Sequence, residues 1–581
     1  MRRALVAAVC LAVAGVGLIG QADKSNARSP VHAVTPPPSP FNVVEATIPE
    51  MRAAMEQGRV TSRELVLQYL ARIATYDKML NAVMVVNRNA LSEADARDRE
   101  RREGRVRGPL HGIPIALKDN IQTTDMATTG GALAFAGFIP PYEATLTKNL
   151  REAGAIILAK TVMTELADAV VGGRPPMPGS YSAVGGWGMN PYDPRRDPRP
   201  GTADGRGVLQ SGGSSSGGGT AASFWAANVG SETGGSILYP STQNMLVGIK
   251  PTVGRISRYG IIPFTADQDS AGPMARTVAD AAILLGVLES AAPDPHDPAT
   301  TACTPPPGRD YTKFLKRDGL KGARIGIPRA SFYTPVQLAG REQPSGGINK
   351  DQLAVMENAI AALKAAGAVV VDPADIPSIV EKDALKNYLA WGRCAGMATS
   401  KGRDANCSIV FKYGFKRDFN AWLASLGPSA PVKSLTELRI FNATHTEGNA
   451  IRYGQSNLDG ADEMDIVADK ARYQADRAKD LELAATHGID EVMKADKLDA
   501  LLFPGWSGAN IADKPGYPTV IVPFGMVPNV LTPPLPHDFN AKPMPYGISF
   551  SGMACSEPRL IELAYAFEQA TKKRIPPPSA P

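Results

Sequence analysis

Apolar positions recur along this chain in two rhythms. In the first, Leu65, Tyr69 and Ile73, with Val66 and Leu70 beside them, repeat at helical spacing behind Thr61 and Glu64, which form a capping-box pattern. The same rhythm predicts helices over 144–153, 351–366 and 560–571, and a mostly helical, relatively charged stretch over 376–495. In the second, short unbroken apolar runs predict buried strands at 112–121 (GIPIALKDNI), 155–159 (AIILA), 368–371, 498–503 and 519–524. Residues 172–218 are rich in Gly, Pro, Tyr and Asp and read as loop, followed by a small-residue helix at roughly 219–227. No internal repeat is present. Strands interleaved with helices predict an α/β fold.

The first residues follow a different pattern. Arg2 and Arg3 precede an apolar run from Ala4 to Ile19, and small residues follow, with Ala22 and Ala27 as candidate exit sites. This is the layout of a secretory leader, assigned to 1–27, and the run is short for a bilayer span. Residues 28–42 contain Pro36-Pro37-Pro38 and read as an extended linker. The expected location is therefore periplasmic or secreted, with no membrane attachment after cleavage. Export leaves Cys303, Cys394, Cys407 and Cys555. Cys394 and Cys407 are the nearest pair, and whether they are bridged or free is left open.

Composition narrows the function classes. A net charge of +5 over 581 residues, with basic residues only in short clusters such as Lys572-Lys573-Arg574, gives no nucleic-acid footprint. The six histidines include no HExxH or similar metal spacing, and there is no CxxC.

The segment at 212–239, GGSSSGGGTAASFWAANVGSETGGSILY, carries the candidate chemistry. It lacks the lysine of a phosphate-binding P-loop, and loop instead of strand precedes its glycines, which excludes a dinucleotide fingerprint. Leu238 stands where a GxSxG elbow around Ser236 needs glycine. The second glycine cluster can instead present successive backbone N–H groups around Ser236, a nest suited to an oxyanion. A serine there needs a base, and no histidine lies nearby in sequence.

Five segments stand in the order of one known family: GIPIALKDNI at 112–121, GGSSSGG at 212–218, GSETGGSI at 230–237, GIKPTVGRISRYGIIP at 248–263 and DQDSAGPMARTVADAA at 267–282. With GYPTVIVP at 516–523, they resemble the amidase signature family over 43–576, including its secreted bacterial members. The resemblance implies a mixed central β-sheet covered on both faces by α-helices, with a variable substrate-pocket region at about 376–495. It implies hydrolysis of an amide C–N bond through a serine acyl-enzyme, with Ser236 attacking, Ser214 in a cis peptide relaying the proton, and Lys118 as base. Its oxyanion hole corresponds to the backbone N–H groups of Thr233, Gly234, Gly235 and Ser236. No metal or other cofactor is implied, and the expected partner is a small-molecule or short-peptide amide; which amide, and the oligomeric state, stay open. Alternatives are an exported esterase with the same triad and a non-catalytic binding protein.

The chemistry requires a neutral Lys118, so burial must pull its pKa far below the ordinary lysine value. Two features depart from the family pattern. The spacing from Ser214 to Ser236 is slightly short, which makes Ser215 the fallback relay, and Leu238 replaces an arginine that many members carry after the nucleophile. Aromatic residues of the long loop, Tyr181, Trp187 and Tyr192, are candidates for the substrate pocket, with packing of the loop itself as the alternative.

Overall fold

The apolar runs at 112–121 and 155–159 form neighbouring parallel strands of the central sheet, because residues buried on both faces leave no polar side to expose. The computed structural model describes residues 41–172, 177–212, 216–338, 340–394 and 407–581. The leader, most of the linker and Ser214 and Ser215 lie outside the described residues.

The eleven strands in chain order are β1 (Val83–Val86), β2 (Pro114–Lys118), β3 (Ile156–Thr161), β4 (Ala227–Glu232), β5 (Val247–Lys250), β6 (Ser270–Ala275), β7 (Arg324–Gly326), β8 (Val369–Val371), β9 (Ala500–Pro504), β10 (Thr519–Val527) and β11 (Met544–Ser551). Their spatial order is β1-β3-β2-β4-β6-β5-β10-β11-β9-β7-β8. The β3-β2-β4 and β9-β7-β8 groups are parallel and the strands between them antiparallel, so the sheet is mixed. Helices flank it, among them Ser62–Leu80, Val278–Leu288, Lys350–Ala365 and Glu557–Thr571.

The expected capping box is formed: Thr61 accepts from the Glu64 N–H while Glu64 reaches back to the Thr61 N–H at 2.8 Å. Two expectations differ. The helix expected over 219–227 is instead Ser216–Ala221, and Ala227 to Glu232 forms β4. Small residues are ambiguous locally, and pairing of Ala227, Asn228 and Val229 with Ile115, Ala116 and Leu117 of β2 decides for strand. The loop aromatics pack among themselves and their neighbours: Tyr181 lies 5.1 Å from Trp187 and 5.0 Å from Tyr453, and the Tyr192 hydroxyl donates to the Ile575 carbonyl.

Two disulfides are formed. Cys394–Cys407 spans 13 positions, and Cys303–Cys555 joins segments 252 positions apart.

Candidate active site

The end of β2 meets the end of β4. Leu117 lies opposite Val229, so the next residue, Lys118, extends toward Ser231. Its Nζ donates to the Ser231 carbonyl and to Ser231 Oγ, both at 3.0 Å, and Asn120 Nδ2 donates to the same hydroxyl at 2.9 Å. Lys118 is fully buried. The adjacent carboxylate, Asp119, turns elsewhere: its Oδ1 is 3.3 Å from the buried Lys160 Nζ, and its Oδ2 accepts from Thr129. Lys118 therefore has serine and carbonyl oxygens around its nitrogen and, among the described residues, no carboxylate in contact. Burial pulls its pKa down to about 7, against the opposing influence of Glu232 and Asp269.

Beyond β4 the chain makes a tight turn through Thr233, Gly234, Gly235 and half-buried Ser236 into the short helix Leu238–Gln243. Gly235 has φ +96, and a Cβ there would sit 2.7 Å from the Trp506 ring, so both conformation and space require glycine. Thr233 is fixed twice, by its hydroxyl to Asp269 Oδ1 at 2.5 Å and by its carbonyl to Gln268 Nε2 at 3.0 Å. Burial pushes the Asp269 carboxyl up to about 6.

Glu232 Oε2 accepts from the N–H groups of Ile237 and Leu238 at 2.5 and 2.9 Å, which pins the far side of the turn. Asp513, fully buried, accepts from the Gly235 N–H at 3.1 Å and lies 3.3 Å from Lys250 Nζ. Burial and the neighbouring Glu232 push the Asp513 carboxyl well above the usual range, with Lys250 opposing. The Gly235 N–H, one of the four expected oxyanion donors, is bonded to Asp513 in this fold. Leu238 packs with Ala509 and Ile521 beside Trp506, so no cation follows the turn, and Glu232 and Asp513 brace it instead. Ser214, its expected cis bond and the fallback Ser215 lie outside the described residues. On the flank of that segment, the Gly212 carbonyl accepts from Ser180 Oγ at 2.7 Å.

A cavity of about 560 Å³ opens at Gly234, with walls that include Tyr388, Trp391, Phe411 and Trp506. The aromatic walls of this cavity come from the 376–495 region and from Trp506, while Tyr181, Trp187 and Tyr192 do not line it. Asp480 holds this wall together: it accepts from Trp391 Nε1 and Ser408 Oγ at 2.8 Å and from Lys514 Nζ at 2.5 Å. Sequence reasoning missed Ser231, Asp480, Asp513 and Trp506. Of these, only Ser231 had a signal, standing inside GSETGGSI directly before Glu232. Among the described residues, no group of three or more His, Cys, Asp or Glu side chains is arranged to hold a metal ion.

Residues 64–561 match the family model Amidase. A probable amidase of Arabidopsis thaliana is 35% identical over 544 residues, covering 93% of this chain and 92% of that protein. The structure of native peptide amidase from Stenotrophomonas maltophilia superposes with a TM-score of 0.75 at 36% identity, over 93% of this chain and 99% of that one. An amidase family protein from Bacillus anthracis str. Ames gives a TM-score of 0.73 at 31% identity, over 92% of each chain.

Proposed function

The chain belongs to the amidase family and hydrolyses amides, and on that premise we propose that it works through a serine acyl-enzyme with Ser236, Ser214 and Lys118 as its proton-transfer chain. The observation that carries this reading is Lys118: a fully buried amine without a carboxylate contact, pulled to about 7, at the foot of the Ser236 turn. A lysine in that state accepts a proton at neutral pH, which an ordinary lysine does not.

In the first half-reaction neutral Lys118 takes the proton of Ser214, which takes that of Ser236 as Ser236 Oγ bonds to the amide carbon. The oxyanion that forms is held by backbone N–H groups of Thr233, Gly234 and Ser236. Gly235 keeps its bond to Asp513 and so holds the turn in shape. Ser214 then gives its proton to the leaving nitrogen and is reprotonated by Lys118. The C–N bond breaks, and ammonia or an amine departs. Water deacylates Ser236 by the same proton route, releasing the carboxylate. Ser231 and Asn120 orient Lys118 without joining the proton transfer.

The substrate we propose is a small-molecule or short-peptide amide, in line with the name of the peptide amidase relative. Measuring ammonia or amine release from peptide amides, anilides and aliphatic amides tests the reading. Wild-type release that disappears in folded Ser236→Ala supports it; release that survives the substitution refutes the Ser236 mechanism.

We also propose export to the periplasm or beyond. The charged start, the short apolar run and two disulfides support it, since disulfides persist in oxidising compartments. The N-terminal sequence of protein recovered from each cell fraction tests this; a cytoplasmic chain retaining Met1 to Ala22 would refute it.

A further inference from the structure

Five charged side chains line the cavity that opens at Gly234: Asp168, Arg393, Asp480, Asp513 and Lys514. Four are already engaged. Asp480 and Lys514 are bonded to each other at 2.5 Å, with Trp391 and Ser408 completing the set around Asp480. Asp513 holds the Gly235 N–H and Lys250. The Arg393 guanidinium lies over the Phe411 ring, 5.5 Å from its centroid. Asp168 is exposed at the cavity wall and has no hydrogen bond or ion pair among the described residues. Arg393 is the charged group that acts on it, from a distance.

The backbone that presents Asp168 is unusual. Leu166, Ala167 and Asp168 have φ values of +43, +56 and +74, three successive left-handed residues without a glycine. Such residues are strained, so the turn persists only because its surroundings impose it. Those surroundings are visible. The Leu166 N–H donates to the Gly130 carbonyl at 2.8 Å, and Glu165 Oε2 accepts from the Ala183 N–H at 2.8 Å. Leu166 is buried in the apolar cluster around Phe135 and Phe419. Asp168 therefore stands at the tip of a strained, anchored turn, on the wall of the cavity that opens at Gly234.

We propose that Asp168 binds a cationic group of the substrate, so that the preferred amides carry a protonated amine, as amino-acid amides and peptide amides with a free or basic amine do. This rests on the cavity at Gly234 being the one in which the amide is cleaved. A substrate ammonium supplies the charge-assisted hydrogen bonds that Asp168 lacks within the protein. A neutral amide of the same size leaves the carboxylate unmatched, and the discrimination is read in kcat/KM.

The test compares an amino-acid amide bearing a free amine with its N-acetyl counterpart, in wild type and in Asp168→Asn. Asparagine tolerates the left-handed conformation, so the turn is preserved. The expected result is a wild-type kcat/KM ratio favouring the ammonium form by about 10- to 100-fold, collapsing toward one in Asp168→Asn. A merely structural defect lowers both substrates alike and keeps the ratio. A wild-type ratio near one, or a ratio unmoved by Asp168→Asn, overturns the proposal. If neither amide is turned over, calorimetric affinities of the two in Ser236→Ala and in Ser236→Ala with Asp168→Asn are judged by the same ratio. Turnover surviving in Ser236→Ala overturns the nucleophile assignment instead, and leaves the charge preference readable.

Discussion

Replacing Lys118 by methionine should sharply lower turnover and stabilise the fold together, and the stabilisation should shrink as pH rises. Lys118 has a pKa near 7 in the fold, lowered from 10.5 by burial. Between these values the folded chain binds fewer protons than the unfolded chain, so the lysine weakens the fold most at low pH and the penalty fades as pH approaches 10.5. Linkage puts that penalty at about 4 kcal/mol at pH 7 and about 2 kcal/mol at pH 9. Methionine is of similar length and carries no charge. It forfeits the bonds to Ser231, worth about 1 kcal/mol, while Asn120 continues to satisfy the Ser231 hydroxyl. The net gain is then about 3 kcal/mol at pH 7 and about 1 kcal/mol at pH 9. The difference of about 2 kcal/mol between the two pH values is the sharper number, because the hydrogen-bond loss cancels from it. Denaturant unfolding of both proteins at the two pH values, disulfides intact, measures it. Loss of the base should lower kcat/KM by about 10²–10⁴, and the wild-type value should rise with pH around a midpoint near 7. A Lys118→Met protein less stable than wild type at both pH values, or one whose stability difference does not change with pH, would show that Lys118 is charged and paired in the fold, and the base assignment would fail with it.

Asp513→Ala strands the Gly235 N–H and removes the carboxylate beside Lys250, which keeps the Tyr517 carbonyl, and should lower kcat by about 10- to 100-fold and stability by about 2 kcal/mol; Asp513→Asn keeps an acceptor and, given the raised pKa of Asp513, should be far milder, which steady-state kinetics and unfolding of the pair will check. Gly235→Ala forces a side chain into a left-handed position 2.7 Å from Trp506, and should lower kcat/KM by more than about 100-fold, with Trp506 fluorescence reporting the displaced ring. Removing Cys303–Cys555 by paired serine substitution should lower stability by about 3–5 kcal/mol, since the bridge closes a loop of 252 positions, with little change in KM. Removing Cys394–Cys407 should instead raise KM, because Arg393 and Ser408, next to those cysteines, line the cavity.

What could be read from the sequence was local. Thr61 and Glu64 predict a helix start because a capping box closes within four residues, and β2 and β3 are legible because burial on both faces leaves unbroken apolar runs. Lys118 stands out for the same reason, as a charge ending a run that is otherwise apolar. β4 has little local signal, because Ala227 to Glu232 carry only one β-branched residue, and its strand character comes from pairing with β2, more than a hundred positions earlier. The bracing of the Ser236 turn was illegible on the same grounds: Asp513 reaches Gly235 across 278 positions, and Cys303 finds Cys555 across 252. Asp168 is the most instructive case. Left-handed turns are read from glycine or asparagine, and Leu166-Ala167-Asp168 offers neither, so nothing local announces the turn. The tertiary contacts of Glu165 and Leu166 impose it, and a conformation maintained against local preference at the edge of the cavity that opens at Gly234 invites a functional explanation. An unmatched carboxylate supplies a specific candidate for that gain, and exchanging a substrate's ammonium for its acetyl counterpart measures it directly.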